Sequence, residues 1–267
     1  MMSTFAELPS RALVWVAGPD WRVFLQGLIS NDVETLEPGA IRFAGLLSPQ
    51  GRLLFDLFVI GREAGCLLDV QAARRDELVQ RLLIYRLRAK IEIAPDAGRI
   101  SALWDTTSAP EGWSPDPRLA ELGFRGVDRN PPDGARTLDE AAYDAFRLEL
   151  GAPDPARDAL PDKTYPIEAD FDLLNGIDFK KGCFVGQETT SRMKRRGGVR
   201  SRMLPIVFRG EAPPFGAEVM AGPLRAGEVL SGREGRAIAL LRLDRIEGAD
   251  LTVGGRPVQV QKPGWMS

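Results

Sequence analysis

The feature that most constrains the fold is a change in the apolar pattern near residue 200. Beyond that point the apolar residues come in short runs that glycine and proline separate. This spacing is typical of a small all-β barrel or sandwich. We therefore expect a domain boundary near residue 200, with a C-terminal β-barrel over residues 201–267. The runs are Met203–Phe208, Glu218–Met220, Glu228–Leu230, Ala237–Leu243 and Val258–Val260.

Residues 1–200 mix strand-like runs with helical periodicity. Leu53–Ile60 is a continuous apolar run of strand length, while Arg74–Tyr85 and Thr137–Leu150 show the spacing of helices with one apolar face. Pro, Gly, Asp and Ser accumulate between residues 105 and 136. The mixture predicts an α+β region of two lobes that divide near residues 100–136. Other predicted strands are Leu13–Val16, Ile41–Leu47, Cys66–Val70 and Phe124–Val127.

The residue types present exclude several kinds of site. The chain of 267 residues contains no histidine and two cysteines, Cys66 and Cys183. Without imidazole, Ser-His-Asp hydrolysis and Cys-His proteolysis are excluded. Two thiols cannot form a four-thiolate zinc or iron–sulfur site within one chain, so we assign no metal site. Acid–base chemistry would have to come from carboxylates, lysine, tyrosine or cysteine.

Charge and hydrophobicity bound the partners and the compartment. The net charge is −2, so the molecule as a whole is not a polycation that seeks nucleic acid. The sequence has no run of about 18 apolar residues for a membrane span. Its N-terminus also lacks the basic and apolar regions of a secretory signal. We therefore expect a cytoplasmic protein with no membrane partner, in which direct binding of nucleic acid would have to depend on a local basic patch.

The segment richest in chemistry runs from Lys180 to Glu188. Lys180 and Lys181 precede Cys183, and cations beside a cysteine stabilise its thiolate form. This pattern predicts a functional thiol at Cys183, with Lys181 assisting it. The alternative, an inert free cysteine, stays open on these residues alone. For Cys66, which lies between glycine and two leucines, the inert interpretation is the one we adopt.

A basic run follows the cysteine segment, without an acidic residue from Thr189 to Arg209. One interpretation is a site for phosphate or for several carboxylates. The other is an ordinary solvated basic face. The run lacks interleaved aromatic residues, which disfavours binding of single-stranded nucleic acid. Its members are Arg192, Lys194, Arg195, Arg196, Arg200 and Arg202.

Two carboxylates stand out for their surroundings. Asp56 interrupts the apolar strand Leu53–Ile60, where an acid needs either a partner or a function. Glu149 ends a predicted helix beside Arg147. A simpler interpretation is that Asp56 points to the polar face of the sheet. Neither a Walker A loop nor a glycine-rich dinucleotide motif is present.

Taken together, these motifs identify a family resemblance. The segment Lys181-Gly182-Cys183-Phe184-Val185-Gly186-Gln187-Glu188 resembles the signature of YgfZ-type folate-binding proteins, which are relatives of the glycine-cleavage T-protein. The resemblance extends over about residues 10–245. Further blocks that agree with it are Phe24–Gly27, Ser30–Val33, Leu46–Leu53 with Asp56, Arg147–Glu149 with Gly151, Pro166–Ala169, Gly176-Ile177, Arg192, and Arg196-Gly197.

The resemblance implies a fold, a ligand and residue roles. It implies a three-lobed, ring-like fold of the T-protein type, closed by the C-terminal β-barrel, with tetrahydrofolate or a one-carbon derivative as ligand. A carboxylate can accept two hydrogen bonds from a pterin ring, and Glu149 matches the position suited to this. Asp56 would lie near the reduced ring nitrogens. The other ligand-binding candidates are Arg192 and Arg196 for the glutamate tail, with Gln187 and Glu188 beside the cysteine.

The sequence also departs from the family pattern. The aminomethyltransferases carry two adjacent acids where this chain has Phe55 and Asp56. Leu150 separates Glu149 from Gly151, and Arg195 stands where several relatives carry histidine. The lost acid argues against aminomethyl transfer.

These observations lead to one main hypothesis and two alternatives. The main hypothesis is a tetrahydrofolate-binding protein that uses Cys183 to support assembly or repair of iron–sulfur enzymes, including those that modify tRNA. The eukaryotic proteins that it resembles serve this process in mitochondria. Its partners would be folate and iron–sulfur proteins or assembly factors. The alternatives are a folate-dependent one-carbon transferase that depends on Asp56, and a nucleic-acid-binding module over residues 192–202. Whether the protein is an enzyme stays open.

Overall fold

The computed structural model describes residues 2–195 and 197–266. In chain order its strands are β1 (Thr4–Glu7), β2 (Arg11–Ala17), β3 (Ile41–Leu47), β4 (Leu53–Arg62), β5 (Gly65–Gln71), β6 (Glu92–Asp96), β7 (Ile100–Trp104), β8 (Ser114–Pro115), β9 (Phe124–Val127), β10 (Arg136–Leu138), β11 (Ser201–Val207), β12 (Glu218–Ala221), β13 (Leu224–Arg233), β14 (Arg236–Arg242), β15 (Leu251–Val253) and β16 (Arg256–Val260). The α-helices are α1 (Trp21–Gln26), α2 (Arg75–Arg86), α3 (Glu140–Glu149), α4 (Pro155–Asp158), α5 (Gln187–Arg195) and α6 (Leu243–Ile246).

The first sheet is antiparallel, with the strand order β3-β4-β5-β2-β6. Strand β4 is buried along nearly its whole length, which explains its continuous apolar run. One face of the sheet packs against α1 and α2 around Trp21, Leu25, Leu78 and Leu82. The other face packs into the central core of the molecule. Both faces are therefore covered by protein.

The second sheet has the order β10-β1-β7-β9-β8. Strand β1 pairs antiparallel with β7 and parallel with β10, so that Phe5 lies between Leu103 and Thr137. The first strand of the chain therefore belongs to the second lobe. The helix predicted over Thr137–Leu150 begins at Glu140 in the structure, because Thr137 lies in β10. Asp139 caps α3 by accepting a hydrogen bond from the Ala142 amide at 2.9 Å.

The C-terminal region is a closed six-stranded β-barrel with the cyclic order β11-β14-β13-β12-β15-β16. Its interior is apolar and separate from the central core. Strand β11 begins at Ser201 and pairs along its length with β14. The expected α+β architecture with a small C-terminal barrel is confirmed. Within the described ranges, no helix combines the length and the apolar character needed to cross a membrane.

Candidate functional site

Cys183 lies on an exposed segment that is held at both ends. Before it, the Asp178 amide donates to the Ser30 carbonyl at 3.0 Å. After it, the Val185 amide donates to the Gly27 carbonyl at 3.2 Å. Phe184, the next residue after the cysteine, is buried in the central core. The thiol is therefore presented to solvent from a backbone that packing and hydrogen bonds fix in place.

Lys181 anchors the same segment from its side chain. Its ammonium group donates to the carbonyls of Ile29 at 2.8 Å and Asn31 at 2.7 Å. It also lies 5.3 Å from the centre of the Phe184 ring. Burial lowers the pKa of Lys181 to about 8, against the opposing effect of Asp32. These contacts indicate a positioning role, whereas the sequence suggested that Lys181 would stabilise the thiolate.

The turn between β3 and β4 packs directly on the cysteine segment. Gly186 and Gly51 both have φ of +81°, in the left-handed region that favours glycine. A Cβ atom on Gly186 would lie 2.6 Å from the Ser48 carbonyl oxygen and 2.9 Å from the Gly51 Cα. The two segments therefore approach backbone to backbone. Three of the sequence blocks, over residues 24–33, 46–53 and 176–188, meet at this place.

Helix α5 leads away from the thiol and carries several of the predicted ligand residues. Gln187, at its first turn, is half-buried, and Glu188 and Arg192 are exposed. Thr190 is buried and its hydroxyl donates to the Gly186 carbonyl at 3.3 Å. Arg196, predicted to contact a glutamate tail, lies outside the described residues. The described members of this set lie on α5, close in sequence to Cys183.

The basic run does not form one uniform surface. Arg202 is held by Asp170 at 2.8 Å and by Asp172 at 2.9 Å. The Lys194 ammonium lies 4.4 Å from the centre of the Phe179 ring. Arg192 and Arg195 are exposed on α5. Because Arg202 serves an internal ion network, the surface available for a nucleic acid is smaller than the sequence suggests.

Asp56 lies away from these residues, at the edge of a buried cluster of charges. Its carboxylate accepts from Arg11 Nη1 at 2.7 Å, and both side chains are buried. Burial raises the pKa of Asp56, and the Arg11 guanidinium opposes that shift. The acid in the apolar strand therefore has a partner, in place of the solvent contact that the simpler interpretation assumed.

The cluster continues from the first sheet to the second. Arg11 Nε donates to Asp69 at 2.6 Å, and Arg125 of β9 donates to the other oxygen of Asp69. Arg118 donates to Asp116 at 2.8 Å and to the Tyr143 hydroxyl at 3.2 Å. We call the small cavity that these side chains surround the ionic chamber. Its lining residues are Leu8, Ser10, Arg11, Phe58, Arg118, Arg125, Glu140, Tyr143, Asp144, Arg147, Asp154 and Arg157.

Glu149 does not line the ionic chamber. Helix α3 turns Glu140, Tyr143, Asp144 and Arg147 toward it, as expected for residues spaced three or four apart. Glu149 falls on another side of the helix and is exposed. The assignment of Glu149 to the ligand comes from the family resemblance, and it stays a prediction.

The described residues that the resemblance assigns to tetrahydrofolate do not all lie at one place. Asp56 is paired with Arg11 inside the protein, whereas Glu149, Glu188 and Arg192 are exposed at other places. Asp56 lines a neighbouring cavity of about 260 Å³ together with Gln71 and Arg74, and the ionic chamber has a volume of about 20 Å³. Pockets for organic ligands measure roughly 300–1,000 Å³. In this arrangement the residues do not fit a bound folate.

Neither the thiol nor the carboxylates form a metal centre by themselves. Within residues 2–195 and 197–266, no cluster of three cysteine, aspartate or glutamate side chains is placed to hold a metal ion. The other cysteine, Cys66, is buried between the first sheet and its helices. Burial raises the pKa of the Cys66 thiol. An incoming reagent or partner can therefore reach Cys183 and not Cys66.

Comparison with known proteins places the chain among named relatives. It is 30% identical over 278 residues to the human mitochondrial iron–sulfur cluster assembly factor IBA57, covering 91% of this chain and 78% of the human protein. The chain belongs to the IBA57 family. This result confirms the resemblance drawn from the cysteine motif, because the YgfZ-type proteins fit the same family.

Two fungal members of the IBA57 family match with similar identity. The protein of Mycosarcoma maydis is 35% identical over 237 residues, and that of Neurospora crassa is 32% identical over 244 residues. The matches cover 78% and 79% of this chain. They span 59% and 56% of the fungal proteins, little more than half their length.

The fold and the barrel have matches of their own. The crystal structure of the glycine cleavage system aminomethyltransferase T from Bartonella henselae superposes with a TM-score of 0.80 at 17% identity, covering all of this chain and 86% of that one. Residues 200–267 match the CAF17 C-terminal β-barrel domain. The predicted T-protein type of fold is confirmed.

The expected cytoplasmic location is wrong by this comparison. The human, mouse and Mycosarcoma maydis relatives in the IBA57 family are all named as mitochondrial proteins. The prediction depended on the absence of a secretory signal and of a membrane span. Those absences do not distinguish the cytoplasm from an organelle.

Proposed function

We propose that this chain acts in iron–sulfur cluster assembly through the thiol of Cys183. The observation that carries the proposal is the exposed thiol on a segment anchored through Lys181, Phe184 and Val185. The relatives in the IBA57 family are named as iron–sulfur cluster assembly factors, which supports this use of the thiol.

A single thiol limits what the site can do with a cluster. Iron–sulfur clusters are typically held by four thiolates, and this chain offers one accessible cysteine. Cys183 would therefore complete the ligand set of a cluster that a partner protein or small thiol also holds. Coordination requires the thiolate, so binding of iron would release the thiol proton to solvent. The cluster is cargo in this proposal and not a resident cofactor.

Reconstitution on purified protein tests the proposal. Wild type, Cys183→Ala and Cys66→Ala would each be incubated with iron, sulfide and glutathione as the accessory thiol. We expect the visible absorption of a bound cluster to co-elute with wild type and Cys66→Ala but not with Cys183→Ala. Equal cluster loading of all three proteins would contradict the role of Cys183.

The one-carbon transferase alternative has less support. That reaction would need a carboxylate available to substrate, and the Asp56 carboxylate is buried against Arg11. The likeness to the Bartonella henselae enzyme supports the fold alone at 17% identity. Tetrahydrofolate as a ligand and tRNA-modifying enzymes as clients stay predictions of the resemblance.

A further inference from the structure

The ionic chamber is a cavity lined by buried charges that the proposed function leaves unused. We infer that it is an ion-paired structural core and not a ligand pocket, so tetrahydrofolate does not bind in it. The inference goes beyond the proposed function, because it concerns the ionic chamber and not the thiol of Cys183.

The ionic chamber is small. Its volume of about 20 Å³ exceeds the roughly 10–15 Å³ that one water molecule needs. Arg125 Nε is buried and lacks a hydrogen-bond partner among the described residues. A single water molecule would both fill the chamber and satisfy that nitrogen. A bicyclic pterin ring would require most of the lining side chains to move.

The charged side chains around the ionic chamber are already paired with one another. Arg11 is neutralised by Asp56 and Asp69, and Arg118 by Asp116. Burial by itself would raise the pKa of Asp116, but Arg118 holds it below the ordinary value. A ligand that used any of these groups would leave its present partner as an unpaired buried charge, which is strongly unfavourable.

The floor of the chamber is the aromatic ring of Phe58. The guanidinium carbons of Arg125, Arg118 and Arg11 lie 3.8, 4.9 and 5.4 Å from the centre of the Phe58 ring. Stacked guanidinium groups already occupy the ring that a flat heterocycle would use. Phe58 stands on β4 opposite Asp69 of β5, inside the hydrogen-bonded sheet. Movement of a loop alone therefore cannot clear the floor.

A further set of ion pairs lies at the mouth of the chamber. Arg157 lies 3.2 Å from Glu140, 3.6 Å from Asp144 and 3.3 Å from Asp154. Glu140 in turn accepts hydrogen bonds from the amide and hydroxyl of Ser10. Helices α3 and α4 are thereby joined across the entrance. Entry of a ligand would require these contacts to break as well.

Calorimetric titration with reduced tetrahydrofolate tests the inference on the purified full chain. We expect no saturable heat up to about 1 mM ligand, and a melting temperature that ligand shifts by less than about 1 °C. Cys183→Ala serves as the matched control and should give the same result. The readout does not involve the thiol, so its outcome is separate from that of the proposed function.

Two variants locate any binding that does appear. Arg157→Ala opens the mouth, and Phe58→Leu reshapes the floor, with circular dichroism to confirm folding of both. Saturable binding whose Kd changes about fivefold or more in either variant would place the ligand in the chamber and overturn the inference. Binding that neither variant alters would place the ligand elsewhere and support the inference that the ionic chamber is not its site.

Discussion

The ammonium group of Lys181 is bonded to the carbonyl oxygen of Asn31 at 2.7 Å, across 150 residues of sequence. A second hydrogen bond, to the carbonyl oxygen of Ile29, fixes the segment that carries Cys183 to the residues that follow α1. The residue beside the functional thiol therefore works as an anchor. The position of the thiol depends on a contact between two parts of the chain that are far apart in sequence.

Replacing Lys181 with methionine should destabilise the protein. The methionine keeps the aliphatic stem but leaves the carbonyls of Ile29 and Asn31 without their donor, and such a loss costs about 1–3 kcal/mol. Urea unfolding measures the change. Lys180→Met is the matched control, because Lys180 is exposed and should tolerate the change. An equal effect of the two substitutions would argue against the anchoring role.

The stability gap between wild type and Lys181→Met should widen as pH rises. The folded pKa of about 8 is lower than the roughly 10.4 of an exposed lysine. Between these values the unfolded chain binds more protons than the folded chain, so wild type gains stability with pH. The variant lacks this gain. Unfolding curves at about pH 7, below the folded pKa, and at about pH 9.5, between the folded and unfolded pKa values, measure the change in this gap, and a gap that narrows would contradict the assignment.

Substitution of Gly186 with alanine should disrupt the packing of the cysteine segment. The new Cβ would meet the Ser48 carbonyl at 2.6 Å, and the residue would have to keep a positive φ. Backbone strain of this kind costs about 1–3 kcal/mol before the clash is counted. Gly182 offers a control beside the thiol, since a Cβ there has no neighbour within 4 Å. Thermal unfolding should show a large loss for Gly186→Ala and little change for Gly182→Ala.

Removing Arg118 should be among the most damaging changes in the ionic chamber. The substitution Arg118→Met leaves Asp116 buried without its principal partner, which costs about 3–5 kcal/mol. The double variant with Asp116→Asn should recover part of that loss, because the uncompensated charge is gone. Guanidinium unfolding measures both. The exposed pair Arg242 and Asp244 is the control and should show almost no coupling.

The sequence predicted those parts of the fold that have a strong apolar pattern. Strands β3 and β4 and helix α2 follow it to within about two residues, since the side chains of each element are buried in a regular order. Helix α5 was missed because it buries little besides Thr190 and has no apolar stripe. Strand β1 was missed because it is short and its partners lie about 100 residues away.

The candidate site was predictable only where a motif marked it. The cysteine motif identified Cys183, and its exposure agrees with that choice. The acid Asp56 was recognised as needing a partner, yet nothing local indicates that the partner is Arg11, 45 residues earlier. The arginines of the ionic chamber come from several strands and loops that tertiary packing brings together. Their convergence is a property of the fold and leaves no local pattern.

The most direct test of the central claim is the recovery of iron–sulfur enzyme activity in cells that lack their own IBA57-family protein. The chain would be produced as wild type, Cys183→Ala or Cys66→Ala. All three proteins must reach equal abundance, and wild type and Cys183→Ala must have equal melting temperatures. We expect wild type and Cys66→Ala to restore the enzyme activity and Cys183→Ala to leave it lost. Full recovery with Cys183→Ala would contradict the role of the Cys183 thiol.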